Sequence, residues 1–147
     1  PPLVYERVYR LKQRWPDRFI GINGGIPGIE AALGHLEHVD GAMLGRAAYH
    51  TPGILAAADR LVYGEAGADP EMDAVIEAMS AYAARHIAAG GRLGHVTRHM
   101  TGLFHGRGGA RRFRQILSTD ANRPGAGPEV LRAAFEAVEQ RAEEAAA

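Results

Sequence analysis

The sequence predicts an α/β segment followed by an all-α unit. Three observations carry this reading: two short apolar runs that each end in glycine, a helical pattern between them, and the loss of any period-two signal beyond Ala68. The apolar runs are Phe19 to Ile22, stopping at Asn23-Gly24-Gly25, and Ala42 to Leu44, stopping at Gly45-Arg46. Between them Ile29, Ala32, Leu33 and Leu36 share one helical face. A strand, a crossover helix and a second strand imply parallel pairing. Both glycine turns then fall on the carboxyl edge of one sheet, where parallel α/β folds place their ligands.

The remaining elements follow in chain order. Val4, Val8, Leu11 and Trp15 recur at helical spacing, so a helix is expected over Val4 to Trp15, with Trp15 in the core and Pro16-Asp17 as its stop. Thr51-Pro52 is a helix start, with threonine as N-cap and proline in the first turn, and that helix is expected to reach Tyr63. Gly64 to Ala68 reads as a linker. Beyond it, helices are expected from Asp69-Pro70 to Ala88, from Leu93 to Phe104, from Ala110 to Leu117 and from Glu129 to Ala145. Gly90-Gly91, the loop His105 to Gly109 and the stretch Arg123 to Gly127 separate them. The domain expectation is therefore residues 1–63, a linker over 64–68 and a four-helix unit over 69–147.

Composition narrows the chemistry. The formal net charge over 147 residues is zero, and 46% of them are hydrophobic, as in a globular protein. With no cysteine in the chain, disulfides, thiolate metal sites and thiol nucleophiles are excluded within it. No run is long and apolar enough to span a bilayer and no signal peptide is visible, so a cytoplasmic location is expected. Two parallel strands cannot close a sheet, and the chain opens on Pro1-Pro2 without methionine. The expectation is that it forms the carboxyl part of a longer protein.

The glycine turns suggest an anion grip. Gly24 and Gly25 lack a Cβ, so their N–H groups can converge on an anion and approach it closely. Gly45 offers the same on the next strand, and the Arg46 guanidinium forms a fork that matches phosphate oxygens. Each feature alone also fits a plain tight turn or a structural ion pair; together, one crossover apart, they favour phosphate.

The zero net charge hides a local imbalance. From Arg98 to Arg123 the cations are Arg98, Arg107, Arg111, Arg112, Arg114 and Arg123, against the single acid Asp120. Arg111 and Arg114 lie three apart on one helical face, while Phe113, Ile116 and Leu117 point the other way. Such a face suits a phosphate backbone or a base edge, and it is equally what a solvated basic surface looks like. His95 and His99 are four apart, but no carboxylate stands in register with them, so no metal is expected. His35 and His38 are expected at the surface, and His50 beside the Gly45-Arg46 turn.

Four stretches together resemble the carboxyl part of tRNA-dihydrouridine synthases, in particular the subfamily acting on D-loop uridines: the opening PPLVYERVYRLK, INGGI at Ile22–Ile26, VDGAMLGRAAYHTPGIL at Val39–Leu55 and LGHVTRHMTGLFHGRGGARRFRQILS at Leu93–Ser118. INGGI and GRAAY occur with variation in other flavin barrels, whereas GLFHGRGGAR is much more specific. Gly108 departs from the family, which usually has proline there.

The resemblance implies the last two βα units of an FMN-binding TIM barrel, followed by a four-helix tRNA-binding domain. It implies that Asn23, Gly24, Gly25, Gly45 and Arg46 hold the FMN phosphate, and that Arg111 and Arg114 dock tRNA. In the family, FMN re-reduced by NADPH gives a hydride to a flipped-out uracil and a cysteine gives the proton. That cysteine is expected outside this chain, so no catalytic residue is assigned within it and the chain alone is expected to be inactive. Two other functions fit the same residues: a non-catalytic helical module that binds structured RNA, and another phosphate-binding flavin barrel enzyme.

Overall fold

The computed structural model describes residues 2–146. The elements are helix α1 (Glu6–Arg14), strand β1 (Gly21–Asn23), helix α2 (Ile29–Leu36), strand β2 (Gly41–Met43), and helices α3 (Arg46–His50), α4 (Ala58–Tyr63), α5 (Met72–Ala88), α6 (Leu93–Thr97), α7 (Ala110–Thr119) and α8 (Glu129–Ala146). Short 3₁₀ turns cover Pro52–Leu55 and Asp120–Asn122. The chain divides into two compact units. The first comprises residues 2–49 and 54–69, the second residues 50–53 and 70–146. No described helix is long and apolar enough to cross a membrane.

In the first unit β1 and β2 pair in parallel, with Gly21 opposite Gly41, Ile22 opposite Ala42 and Asn23 opposite Met43. The crossover is α2, which buries Ile29 and Ala32 against Ile22, Ile26 and Val39. At Gly41 a Cβ would stand 2.9 Å from the tip of the exposed Phe19 ring.

Trp15 is not in this core. It is 52% exposed, and Leu11 is 45% exposed. The face that α1 turns inward carries Tyr5, Val8 and Tyr9 instead. These sit at the same helical spacing, rotated from the expected stripe, because each tyrosine ring packs while its hydroxyl finds an acceptor. The Tyr5 hydroxyl donates to the Gly24 carbonyl at 2.6 Å, and that of Tyr9 pairs with His35 Nδ1 at 2.6 Å. Lys12, on the same face, pairs with Asp40 at 2.8 Å and donates to the Pro16 and Arg18 carbonyls.

The single helix expected over Thr51 to Tyr63 is broken into the 3₁₀ turn and α4. Gly53 lies where a Cβ would stand 3.1 Å from the Leu103 carbonyl, so its backbone is held by the second unit rather than by a continuing helix. Helix α4 ends at Gly64 in the left-handed region (φ 68°). A bidentate pair of Arg60 with Asp69, 2.8 and 2.9 Å, spans the irregular residues 64–68. The guanidinium holds the Asp69 carboxyl below its usual range.

The second unit packs α5, α6, α7 and α8 around Phe104 and Phe113, whose rings meet edge to face at 4.7 Å. Helix α7 buries Phe113, Ile116 and Leu117, and α8 buries Leu131, Ala134, Phe135 and Val138. The buried Thr97 hydroxyl donates to the Leu117 carbonyl. Arg132 of α8 pairs with Asp73 and Glu77 of α5. The helix expected from Leu93 to Phe104 ends at Thr97, and the chain continues in tight i to i−3 turns through Met100, Leu103 and His105. Gly102 explains the change: a Cβ there would overlap the His50 carbonyl, so backbone packs on backbone where a regular helix would carry side chains.

Candidate functional site

The register of the sheet fixes the first candidate site. Because Asn23 lies opposite Met43, the segments Gly24-Gly25 and Leu44-Gly45-Arg46 leave the sheet side by side at its carboxyl edge. Gly24 (φ 132°) and Gly25 (φ 63°) both occupy backbone conformations that disfavour side chains. Leu3 covers the face where a Cβ would stand, 2.9 Å away at Gly24 and 3.2 Å at Gly25. The turn is thus fixed by the chain's own packing, with Tyr5 bonded to its carbonyl.

Gly45 differs. Its backbone is not in the left-handed region, and a Cβ would meet only Met43 Sδ at 3.6 Å, an ordinary approach. Among the described residues nothing demands glycine there. Arg46 is exposed at the start of α3, and among the described residues no carboxylate pairs with it. The structural ion pair that could have explained this arginine is therefore absent among them. An exposed Asn23, a Gly45 with no close neighbour beyond Met43 and a guanidinium unpaired among the described residues form a set without a carboxylate, whose chemistry fits a phosphate such as that of FMN.

The second candidate site lies on α7. Gly109 precedes the helix in the left-handed region (φ 82°), and a Cβ there would stand 2.7 Å from Val138 Cα. This close approach seats the start of α7 against α8 and fixes which residues face out. Arg111 and Arg114 are both exposed while Phe113 between them is fully buried. Arg112 is tethered to Gln115 at 3.1 Å; Arg111 and Arg114 have no ion-pair partner among the described residues. Of the histidines, His35 is half-buried under Tyr9 and His38 is exposed. Among the described residues, no three His, Cys, Asp or Glu side chains are grouped as a metal would require.

The family model for dihydrouridine synthases matches residues 1–140. The chain belongs to the dihydrouridine synthase family. It is 50% identical over 139 residues to a protein of Shewanella oneidensis, covering 95% of this chain and 42% of that relative. To a protein of Escherichia coli strain K12 it is 49% identical over 138 residues, 94% of this chain and 40% of the relative. To one of Xanthomonas axonopodis pv. citri it is 46% identical over 143 residues, 96% and 42%. All three relatives bear the name tRNA-dihydrouridine(20/20a) synthase. The chain spans about two-fifths of their length.

Two supports of the glycine turn in this dihydrouridine synthase chain were not foreseen from the sequence, Leu3 and Tyr5. The available signal was the i, i+4 pair Tyr5 and Tyr9, an amphipathic stripe competing with the more hydrophobic Leu11 and Trp15.

Proposed function

We propose that this chain supplies the cofactor-phosphate grip and the tRNA-docking helices of a tRNA-dihydrouridine synthase acting on D-loop uridines, the 20/20a activity named for its relatives. The observation that carries the reading is Arg46: an exposed cation without a carboxylate partner among the described residues, beside a glycine that the fold itself does not require. On this reading β1, α2, β2 and the helices that follow are the last two βα units of a TIM barrel. Residues 1–63 belong to the barrel, 64–68 are the linker and 69–147 form the helical tRNA-binding domain.

Asn23, Gly24, Gly25 and Gly45 at the carboxyl edge of the sheet, with Arg46, would hold the FMN phosphate, the arginine supplying its charge and donor fork. When bound and reduced by NADPH, FMN supplies the hydride that saturates the uracil ring. Arg111 and Arg114 hold the tRNA from the exposed face of α7. If the proton for the ring comes from a cysteine, as the family resemblance implies, that residue lies outside these 147, which contain none.

The test is made on the protein that carries this chain. Purified, it should show flavin absorbance and, with NADPH, form dihydrouridine in the D-loop of unmodified tRNA. Flavin without tRNA reduction would favour another flavin barrel enzyme; tRNA binding without flavin would favour a non-catalytic RNA-binding module.

A further inference from the structure

We propose that the helical unit carries an aromatic slot for one unpaired nucleobase, built from Tyr82, His86 and His95. The proposal rests on the tRNA-docking reading above and adds a second kind of interaction to it, stacking rather than phosphate binding.

The slot lies in a groove of about 420 Å³ whose apolar floor includes Val75, Met79 and Val96. That volume falls within the roughly 300–1,000 Å³ usual for small-ligand sites. Tyr82 and His86, one turn apart on α5, present nearly parallel rings, with centroids 6.4 Å and planes 9° apart. His95 of α6 meets His86 edge-on at 5.6 Å, its Nδ1 3.4 Å from His86 Nε2. Tyr82 is 50% exposed, so its ring is displayed rather than used as core.

Gly91 lies against the His86 ring. Gly90, at φ 88°, already turns the chain at the end of α5, and Gly91 is not in the left-handed region. Yet a Cβ at Gly91 would overlap the His86 imidazole. Glycine there leaves room for the ring, while its N–H donates to the His86 carbonyl at 2.9 Å and closes the end of α5.

The chemistry of the rim selects the occupant. None of the residues lining the groove is acidic. Arg98 donates from Nε to His99 Nε2 at 3.0 Å, which places a cation beside a residue that lines the groove. A ring array with a neighbouring arginine is the pattern that holds unpaired bases irrespective of sequence. The three histidines of the groove do not make a metal set among the described residues.

The experiment uses the protein that carries this chain, with Tyr82→Ala, Tyr82→Phe and His86→Ala variants and tRNA binding measured across a salt series. An Arg111→Ala/Arg114→Ala variant serves as comparator. Losing a stacked base should weaken binding about fivefold or more in Tyr82→Ala and His86→Ala. The slope of affinity against salt should stay unchanged, since stacking releases no counterions, whereas the arginine variant should flatten it. Tyr82→Phe keeps the ring and should bind as the parent does. Ultraviolet crosslinking to tRNA should yield an adduct on the Tyr82 peptide, and melting temperatures read alongside identify any variant that fails to fold.

If Tyr82→Ala binds tRNA as the parent does at every salt concentration, the slot holds no base, and the groove serves another protein or another part of the same one. If only the arginine variant loses affinity, the slot alone falls. If the parent itself does not bind tRNA, the proposed function falls and the slot with it.

Discussion

The hydroxyl of Tyr5 donates to the carbonyl of Gly24 at 2.6 Å, joining the first helix to the turn that ends the first strand. The bond holds a glycine whose φ is 132°. Tyr5→Phe removes that bond and little else. The expected cost is about 0.5–1.5 kcal/mol, the net worth of a neutral hydrogen bond. If the turn grips phosphate, the same variant should release FMN faster than the parent, measured by the recovery of free-flavin fluorescence on dilution.

Gly24 and Gly45 should separate under one substitution. Gly24→Ala forces a side chain into a left-handed conformation against Leu3, so it should lower the melting temperature as well as flavin content. Gly45→Ala meets only Met43 Sδ at 3.6 Å and should leave the melting temperature of the flavin-free protein unchanged. If Gly45 belongs to the proposed phosphate grip, the variant should still cut flavin content. Equal flavin content in Gly45→Ala and the parent would remove Gly45 from the site.

Arg46→Ala should weaken FMN retention by about 1.5–3 kcal/mol, the range of a hydrogen bond to a charged group. Arg46→Lys should recover only part of it, since an ammonium cannot offer two parallel donors. Flavin occupancy after gel filtration reads both. Arg46 being exposed and without a carboxylate partner among the described residues, neither variant should change the melting temperature of the flavin-free protein.

Asp40 gives the first unit an acid-sensitive tie. The Lys12 ammonium and the Ile20 N–H both donate to its carboxylate and hold it below the usual value of 3.8. A depressed carboxyl contributes stability that is present above its unfolded-state value and is lost as pH falls through the folded one. The stability difference between the parent and Asp40→Asn should therefore be largest near neutral pH and shrink as pH falls through the depressed folded-state value. Urea midpoints at several pH values would show it, and added salt should shrink it because the pair is at the surface.

The sequence made the crossover legible because glycine punctuation and helical spacing are local signals. Ile22, Ile29 and Ala32 are buried as that pattern requires, and the strands pair in parallel. The inward face of α7 was equally readable, since Phe113, Ile116 and Leu117 leave one orientation open to Arg111 and Arg114. What escaped was set by distant partners. Trp15 outranks Tyr5 in hydrophobic spacing, yet the acceptors at Gly24 and His35 lie on another part of the chain and turn the tyrosines inward. The helix beyond Thr97 gives way because Gly102 packs against the His50 backbone, a neighbour no local window contains. For the candidate site, the residue types were readable but not the distinction between Gly24, which the fold demands, and Gly45, which it does not.

The account places cofactor and tRNA on different parts of the chain, and Arg111→Ala/Arg114→Ala in the protein that carries it tests that division most directly. tRNA affinity should be measured across a salt series, with flavin occupancy read on the same samples. The account predicts weaker tRNA binding, full flavin occupancy, and a salt slope lower by about one for each arginine–phosphate pair removed. Binding equal to the parent at every salt concentration would contradict it and leave the arginine face of α7 as solvated surface.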